Sequence, residues 1–181
     1  MRTLLCAVAL ASTIACSKPK GGPSEADVVA RAQAALAPFK ASLKGELEKA
    51  MAESPEAAIE VCAKRAPELA SAHSQRGALL GRSAQKLRSP ANAPRPWLAP
   101  VMSRLAQAPR GTSAHEVVSL DGDRRGYAEA IWVAPQCLTC HGESVAPSIA
   151  ASLDARYPTD AARGFKPGDF RGVFWVELDP P

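Results

Sequence analysis

Aromatic residues are scarce: four Phe, three Trp and two Tyr among 181 residues. Histidine is scarcer still, with three. Charge of one sign is lacking too, since 22 Lys and Arg face 18 Asp and Glu for a net +4, and the signs are interspersed. With no basic stripe carrying interleaved aromatics, a nucleic-acid binder is excluded. No internal repeat is visible, which excludes a solenoid or propeller. After the first few residues no apolar run approaches the roughly 20 residues of a membrane-crossing helix.

What is present starts with an export signal. Arg2 precedes the apolar run Leu4–Ala11, which is of signal-peptide length. Thr13-Ile14-Ala15-Cys16 resembles a bacterial lipobox, with Thr13 in place of the usual leucine. The expectation is cleavage of 1–15 and lipidation of Cys16. Ser17 is not the aspartate that retains lipoproteins in the inner membrane, so the outer membrane, facing the periplasm, is the expected location. An ordinary signal peptide and a soluble periplasmic protein are the alternative. Residues 16–23 read as a tether of Ser, Lys, Pro and Gly. Residues 24–181 read as one domain, large enough to bury a core.

Ser24 is a helix N-cap with acids after it. Leu36, Phe39, Leu43, Leu47 and Met51 then recur at helical spacing, with a kink or restart expected at Pro38. Ser54-Pro55 starts a second helix, with Ile59, Cys62, Ala66 and Leu69 on one face and a bend or end expected at Pro67. These two helices form a hairpin. Leu87 to Trp97 holds three prolines in close succession and is neither helix nor central strand. Trp97 to Gln107 is a short helix with Leu98, Val101, Met102 and Leu105 inside. His115 to Leu120 and Tyr127 to Val133 read as strands around an Asp121-Gly122-Asp123 turn. Val145 to Leu153 is a short helix. Phe170 to Leu178 is a last strand, with Val173, Trp175 and Glu177 facing opposite to Phe174 and Val176. The fold class is α+β: an N-terminal helical hairpin, then an antiparallel sheet with flanking helices.

The five cysteines are Cys6, Cys16, Cys62, Cys137 and Cys140. The first leaves with the signal, and the last two stand in Cys137-Leu138-Thr139-Cys140-His141. Thiols three positions apart can form thioethers with the two vinyl groups on one porphyrin edge, and the next histidine then reaches the iron. A chain of this composition would carry such a motif by chance about 0.002 times, so the spacing is specific for covalent haem attachment. One haem c is therefore expected, on Cys137 and Cys140, with His141 as iron ligand. Three other readings compete. A redox dithiol needs a thioredoxin-like βαβ context that is missing. A structural disulfide would leave His141 a coincidence. Zinc on Cys62, Cys137, Cys140 and His141 is formally acceptable, but adjacent Cys140 and His141 side chains diverge.

The second axial position is open to Cys62, Met51, Met102, His73, His115 or water. The methionines fit apolar faces and the two histidines sit in polar surroundings. Cys62 can be a small buried hydrophobe, yet a free thiol in an oxidising compartment needs protection, and iron would supply it. Thiolate would lower the iron's potential, whereas methionine would raise it.

Four segments in order carry a resemblance. They are Ala58–Pro67 around Cys62, Leu87–Pro94, Pro135–Gly142, and Tyr157–Asp160 together with Gly168–Phe174. The chain from Glu25 to Leu178 resembles the single-haem, c-type, PAS-like family of exported proteins and sensor input domains. Ser89 departs from the asparagine often found there. The resemblance implies a PAS-like sheet flanked by helices with haem in its pocket, and implies that Cys62 binds the iron opposite His141. Many relatives continue into a membrane helix and a kinase; no output module is expected here. Among Arg88, Asn92, Arg95 and Arg171, the expected partners of the haem propionates are first Arg88, then Arg171. A solvated arginine is the plain alternative for each.

The function classes are then a haem-based redox or gas sensor, a periplasmic electron carrier, or a peroxidase-like enzyme with an open distal site, for which His73 or His115 would have to serve. No catalytic residue is assigned and a non-enzyme is favoured. Partners would be a redox or signalling protein and the membrane through the lipid. The long first helix would either pair two copies or pack on its own sheet.

Overall fold

The computed structural model describes residues 22–74 and 77–181. The signal peptide, Cys16 and most of the tether lie outside the described residues. Helix α1 spans Glu25–Glu53, α2 Pro55–Glu60 and α3 Ala66–His73, with a π-helical segment, Val61–Arg65, between the last two. Strand β1 is Ala78–Ser83, helix α4 Leu98–Leu105, strand β2 His115–Ser119 and strand β3 Arg125–Trp132. Then come α5 (Leu138–His141), α6 (Pro147–Arg156) and β4 (Phe170–Leu178). The class is α+β, as expected.

Ser24 opens α1 with a capping box: its hydroxyl accepts from the Asp27 N–H while the Asp27 carboxylate accepts from the Ser24 N–H. The helix runs unbroken through Pro38, where the sequence suggested a kink. Pro38 is on the exposed side, so water can reach the carbonyl its missing N–H leaves free. On the opposite side Val28, Ala32, Leu36, Phe39 and Leu43 are buried, three or four residues apart. They pack on Leu80, Tyr127, Val176 and Leu178 of the sheet. Full burial of each large member stabilises by about 1.5–3 kcal/mol, which outweighs the proline. The apolar face of α1 thus lies on the chain's own sheet. Among the described residues no helix is long and apolar enough to cross a membrane.

The sheet is antiparallel throughout, in the order β1-β4-β3-β2. Alternation along β4 separates two layers. Phe174 and Val176 meet α1, and Val173 and Trp175 meet Leu98, Val101, Met102 and Leu105 of α4. Strand β1 was not foreseen. It pairs with β4 from Ala78↔Leu178 to Ser83↔Val173, although Ala-Leu-Leu-Gly-Arg-Ser has no β-branched or aromatic residue to mark it. The long connection from β3 to β4, residues 133–169, leaves the sheet and carries α5 and α6.

Candidate functional site

Pro135 opens a short 3-10 turn that runs directly into α5, so Cys137 and Cys140 sit within one helical stretch. Residues three apart on such a stretch share a face. The stretch stops at Gly142, whose backbone turns extended, and close approach requires glycine there. A Cβ there would stand 2.7 Å from the Leu138 carbonyl oxygen. The chain then doubles back alongside residues 164–165: Phe165 N–H donates to His141 O at 3.0 Å and Gly164 N–H to Gly142 O at 3.0 Å.

His141 is held in one tautomer. Its Nδ1 lies 2.7 Å from the Ala162 carbonyl, which can only accept, so Nδ1 carries the proton. Burial first, then the positive charges of Arg88 and Arg171, push the imidazole pKa down to about 3. The ring is neutral and its Nε2 lone pair is free. A histidine ligand needs this state, with the far nitrogen tied to a backbone carbonyl. Phe165 packs edge-on against the ring, centroids 6.2 Å apart.

Arg88 ties the site together. Its Nε donates to Asp160 Oδ1 at 3.2 Å, and its Nη2 donates to Cys140 O at 2.5 Å and Ala162 O at 3.3 Å. Expected as a propionate partner, it spends these donors on the protein itself. Asp160, with 2% of its side chain exposed, also accepts from Ala162 N–H at 2.9 Å and Arg163 Nε at 3.0 Å. Burial raises its pKa, but these bonds outweigh that and hold the carboxyl below the usual range. One buried ion pair therefore fixes both the backbone of Cys140 and the carbonyl that orients His141.

Cys62 comes to the same place from the other side. It lies in the π-helical segment Val61–Arg65, where Ala66 N–H reaches back to Val61 O. The cause is Pro67, which cannot donate to the carbonyl four residues earlier and would clash with it. The helix absorbs this by widening rather than ending, the form that helices often take at functional sites. Ile59 and Ala63 flank Cys62 and pack with Cys140, Val145, Ile149, Leu153 and Tyr157. Cys62 lies within electrostatic reach of Cys140, Tyr157, Arg82 and Arg171. Burial pushes the Cys140 thiol up, with Arg88 pulling against it. Cys62, Cys137 and Cys140 are all free and half-buried, so no disulfide joins them. Among the described residues no three His, Cys, Asp or Glu side chains gather as a metal-holding set, so the four-donor zinc arrangement is not formed.

Of the other axial candidates, three have partners of their own. Met102 is buried in the α4 cluster. His73 lies against Phe39, and exposed His115 stacks on Tyr127. Met51 is near the end of α1. Arg171 donates to Lys86 O at 3.2 Å and lies over the Phe165 ring. Burial, reinforced by Arg88 and Arg82, lowers its pKa to about 10. Two members went unrecognised in the sequence. Asp160 falls inside a resemblance segment without an assigned role, and Arg82 lies on the strand that was missed.

The chain matches the Tll0287-like family model, Tll0287, over residues 22–178. The chain belongs to the Tll0287-like family. A solved structure described as that of the cyanobacterial heme-protein Tll0287 is 30% identical, with a TM-score of 0.50, covering 65% of this chain and 68% of that one. A search of curated proteins gave no match. The four-stranded antiparallel sheet with its helices is consistent with a PAS-like fold, as the matched structure supports. The match to the family takes in Cys62, Arg82, Arg88, the Cys137–His141 segment, Asp160 and Arg171 alike.

Proposed function

We propose that this Tll0287-like chain is an exported haem protein holding one haem c. Cys137 and Cys140 carry the covalent bonds. Each thiol S–H would add across one vinyl C=C of the cofactor, sulfur to one carbon and hydrogen to the other, with no oxidant needed. His141 Nε2 and the Cys62 sulfur would hold the iron. The observation that carries the reading is the Nδ1–Ala162 bond. It supplies a neutral histidine with a free Nε2 at the end of a Cys-x-x-Cys turn. The printed description of the matched structure as a heme-protein supports the cofactor class.

Bound haem supplies a one-electron couple and an iron site for small gaseous ligands. The residues around it favour sensing. Cys62 sits on a widened helical turn between α2 and α3, so release of its sulfur would free that turn to shift. Both helices pack on α1, so the shift would be passed on to a separate redox or signalling partner. Electron transfer is the second reading, and Phe165 favours it: one side meets His141 while Lys86 lies over its ring, 4.7 Å from the centroid. This places an aromatic group between ligand and surface. A peroxidase-like enzyme has less support, since His73 and His115 contact Phe39 and Tyr127 away from His141. The proposed setting is the periplasmic side of the outer membrane, through lipid on Cys16, with a soluble periplasmic form as the alternative.

Intact-mass analysis and a haemochrome spectrum of the protein matured in a host that makes c-type cytochromes test the attachment. The expected result is the mass of one haem on the wild-type chain and none on Cys137→Ala/Cys140→Ala. A wild-type chain with two unmodified thiols would refute it.

A further inference from the structure

Positive charge converges on one side of the site without a matching negative partner. Arg82, Arg88 and Arg171 interact with the same small group of residues, chiefly Cys62, Tyr157 and Asp160. Asp160 is the carboxylate within reach of Arg88 and Arg171, and its hydrogen bonds are taken by Arg88 and Arg163. Arg171 makes one bond, to a backbone carbonyl. Arg82 has no hydrogen bond or ion pair among the described residues, although it is half-buried. Cys62 and Tyr157 lie within its reach and Arg171 faces it with like charge, while no carboxylate is among its neighbours.

An arginine drawn partly out of water without a counter-charge is costly. Burial accordingly lowers the Arg82 pKa, and that of Arg171 with it. Strand register explains how Arg82 arrives there. It pairs with Phe174 and lies on the same face as Leu80 and Val176, the face that meets the helices. Arg171 sits at the start of β4, beside the β3–β4 irregularity at Ile131/Trp132. Two guanidiniums with unspent donor forks, both within reach of Cys62, are suited to two carboxylates.

We propose that Arg82 and Arg171 are the clamp for the two haem propionates, while Arg88 braces the protein. This rests on the haem reading above and deepens it. Each guanidinium takes one propionate, and the surplus positive charge is neutralised when the cofactor is in place.

The test uses the mature, haem-loaded full chain. Resonance Raman spectra report the propionate bending bands directly. Arg82→Gln is expected to move one band and Arg171→Gln the other, while Arg82→Lys keeps most of the wild-type position. The absorption maxima, set by the axial ligands, should stay put in all three. Both bands at their wild-type positions in folded, haem-loaded Gln variants would overturn the clamp. If those variants do not mature, a crystal structure of the wild-type holoprotein decides. Propionate oxygens about 2.7–3.2 Å from the Arg82 and Arg171 nitrogens support the clamp, and propionates bonded only to water overturn it. A mature chain that carries no haem would instead sink the reading on which the clamp rests.

Discussion

Two buried carboxylates, Asp160 and Glu177, are each surrounded by arginines, yet their regions differ in kind. Glu177 lies on β4 toward the end of the sheet away from α5. It accepts from Arg95 and Arg124, both at 2.9 Å, and from Trp97 Nε1 at 2.8 Å. Both arginines are about 40% exposed, so their remaining donors meet water. The Glu177 carboxylate is fully paired there, although the nearby Trp175 Nε1 is buried without a partner. Asp160 is ringed just as closely, but Arg171 within its reach and Arg82 beyond have no ion pair among the described residues. The same residue types therefore close one carboxylate's surroundings and leave the other's short of negative charge, within reach of His141 and Cys62.

The largest effect that would sharpen this contrast comes from removing each carboxylate in turn. Asp160→Ala leaves Arg88 buried and unpaired, and should cost about 3–5 kcal/mol in urea unfolding. It should also loosen His141, because the Ala162 carbonyl loses its brace. Glu177→Ala should cost less, about 1–3 kcal/mol, since its arginines can turn to solvent, and should leave the haem spectrum unchanged. Equal spectral effects from both would erase the distinction.

Acid should act through Asp160 as well. Its folded pKa is depressed, so its contribution is full above the unfolded value of about 3.9 and is lost as pH falls through the folded value. Asp160→Asn should flatten that acid limb in a stability–pH profile.

Pro67→Ala comes next. Restoring the missing N–H should stabilise the helix by no more than about 3 kcal/mol, while the π-helical turn relaxes and Cys62 shifts. Thermal unfolding should show an equal or higher Tm, and the ferric spectrum should show less thiolate ligation. A gain in stability with an unchanged spectrum would separate Cys62 from the widened turn.

The smallest contrast is between two glycines. At Gly142 an added methyl meets the Leu138 backbone oxygen at 2.7 Å, whereas at Gly126 it meets the tips of the Val118 and Trp97 side chains at 2.9 and 3.1 Å. Side-chain tips give way more easily than backbone. Gly142→Ala should therefore sit near the top of the about 1–3 kcal/mol range for overpacking, and Gly126→Ala near the bottom, both read by chemical denaturation.

Local signals made much of this legible in advance. The four inward residues of α4, the alternation along β4 and the Ser24 cap all follow from short-range periodicity and hydrogen-bonding chemistry. The failures were tertiary. Burial against the sheet carries α1 through Pro38. Pairing with β4 makes a strand of Ala78–Ser83, whose composition suits a helix as well. The site divides the same way. Cys137, Cys140 and His141 are marked by their spacing. Cys62 stands out as the cysteine left over, and the family resemblance gave it a role. Arg82 and Asp160 acquire meaning only when segments 70 to 80 residues apart fold onto one another, as the Arg88–Asp160 pair shows with its separation of 72 residues, and no local pattern carries that.

The most direct test of the proposed His141–Cys62 pair is the EPR and absorption spectrum of the ferric, haem-loaded protein, beside that of Cys62→Ala. The expected wild-type spectrum is six-coordinate and low-spin with a thiolate signature, and that signature should vanish in the variant while covalent haem is retained. An identical spectrum from both proteins, or a five-coordinate high-spin wild type, would contradict it.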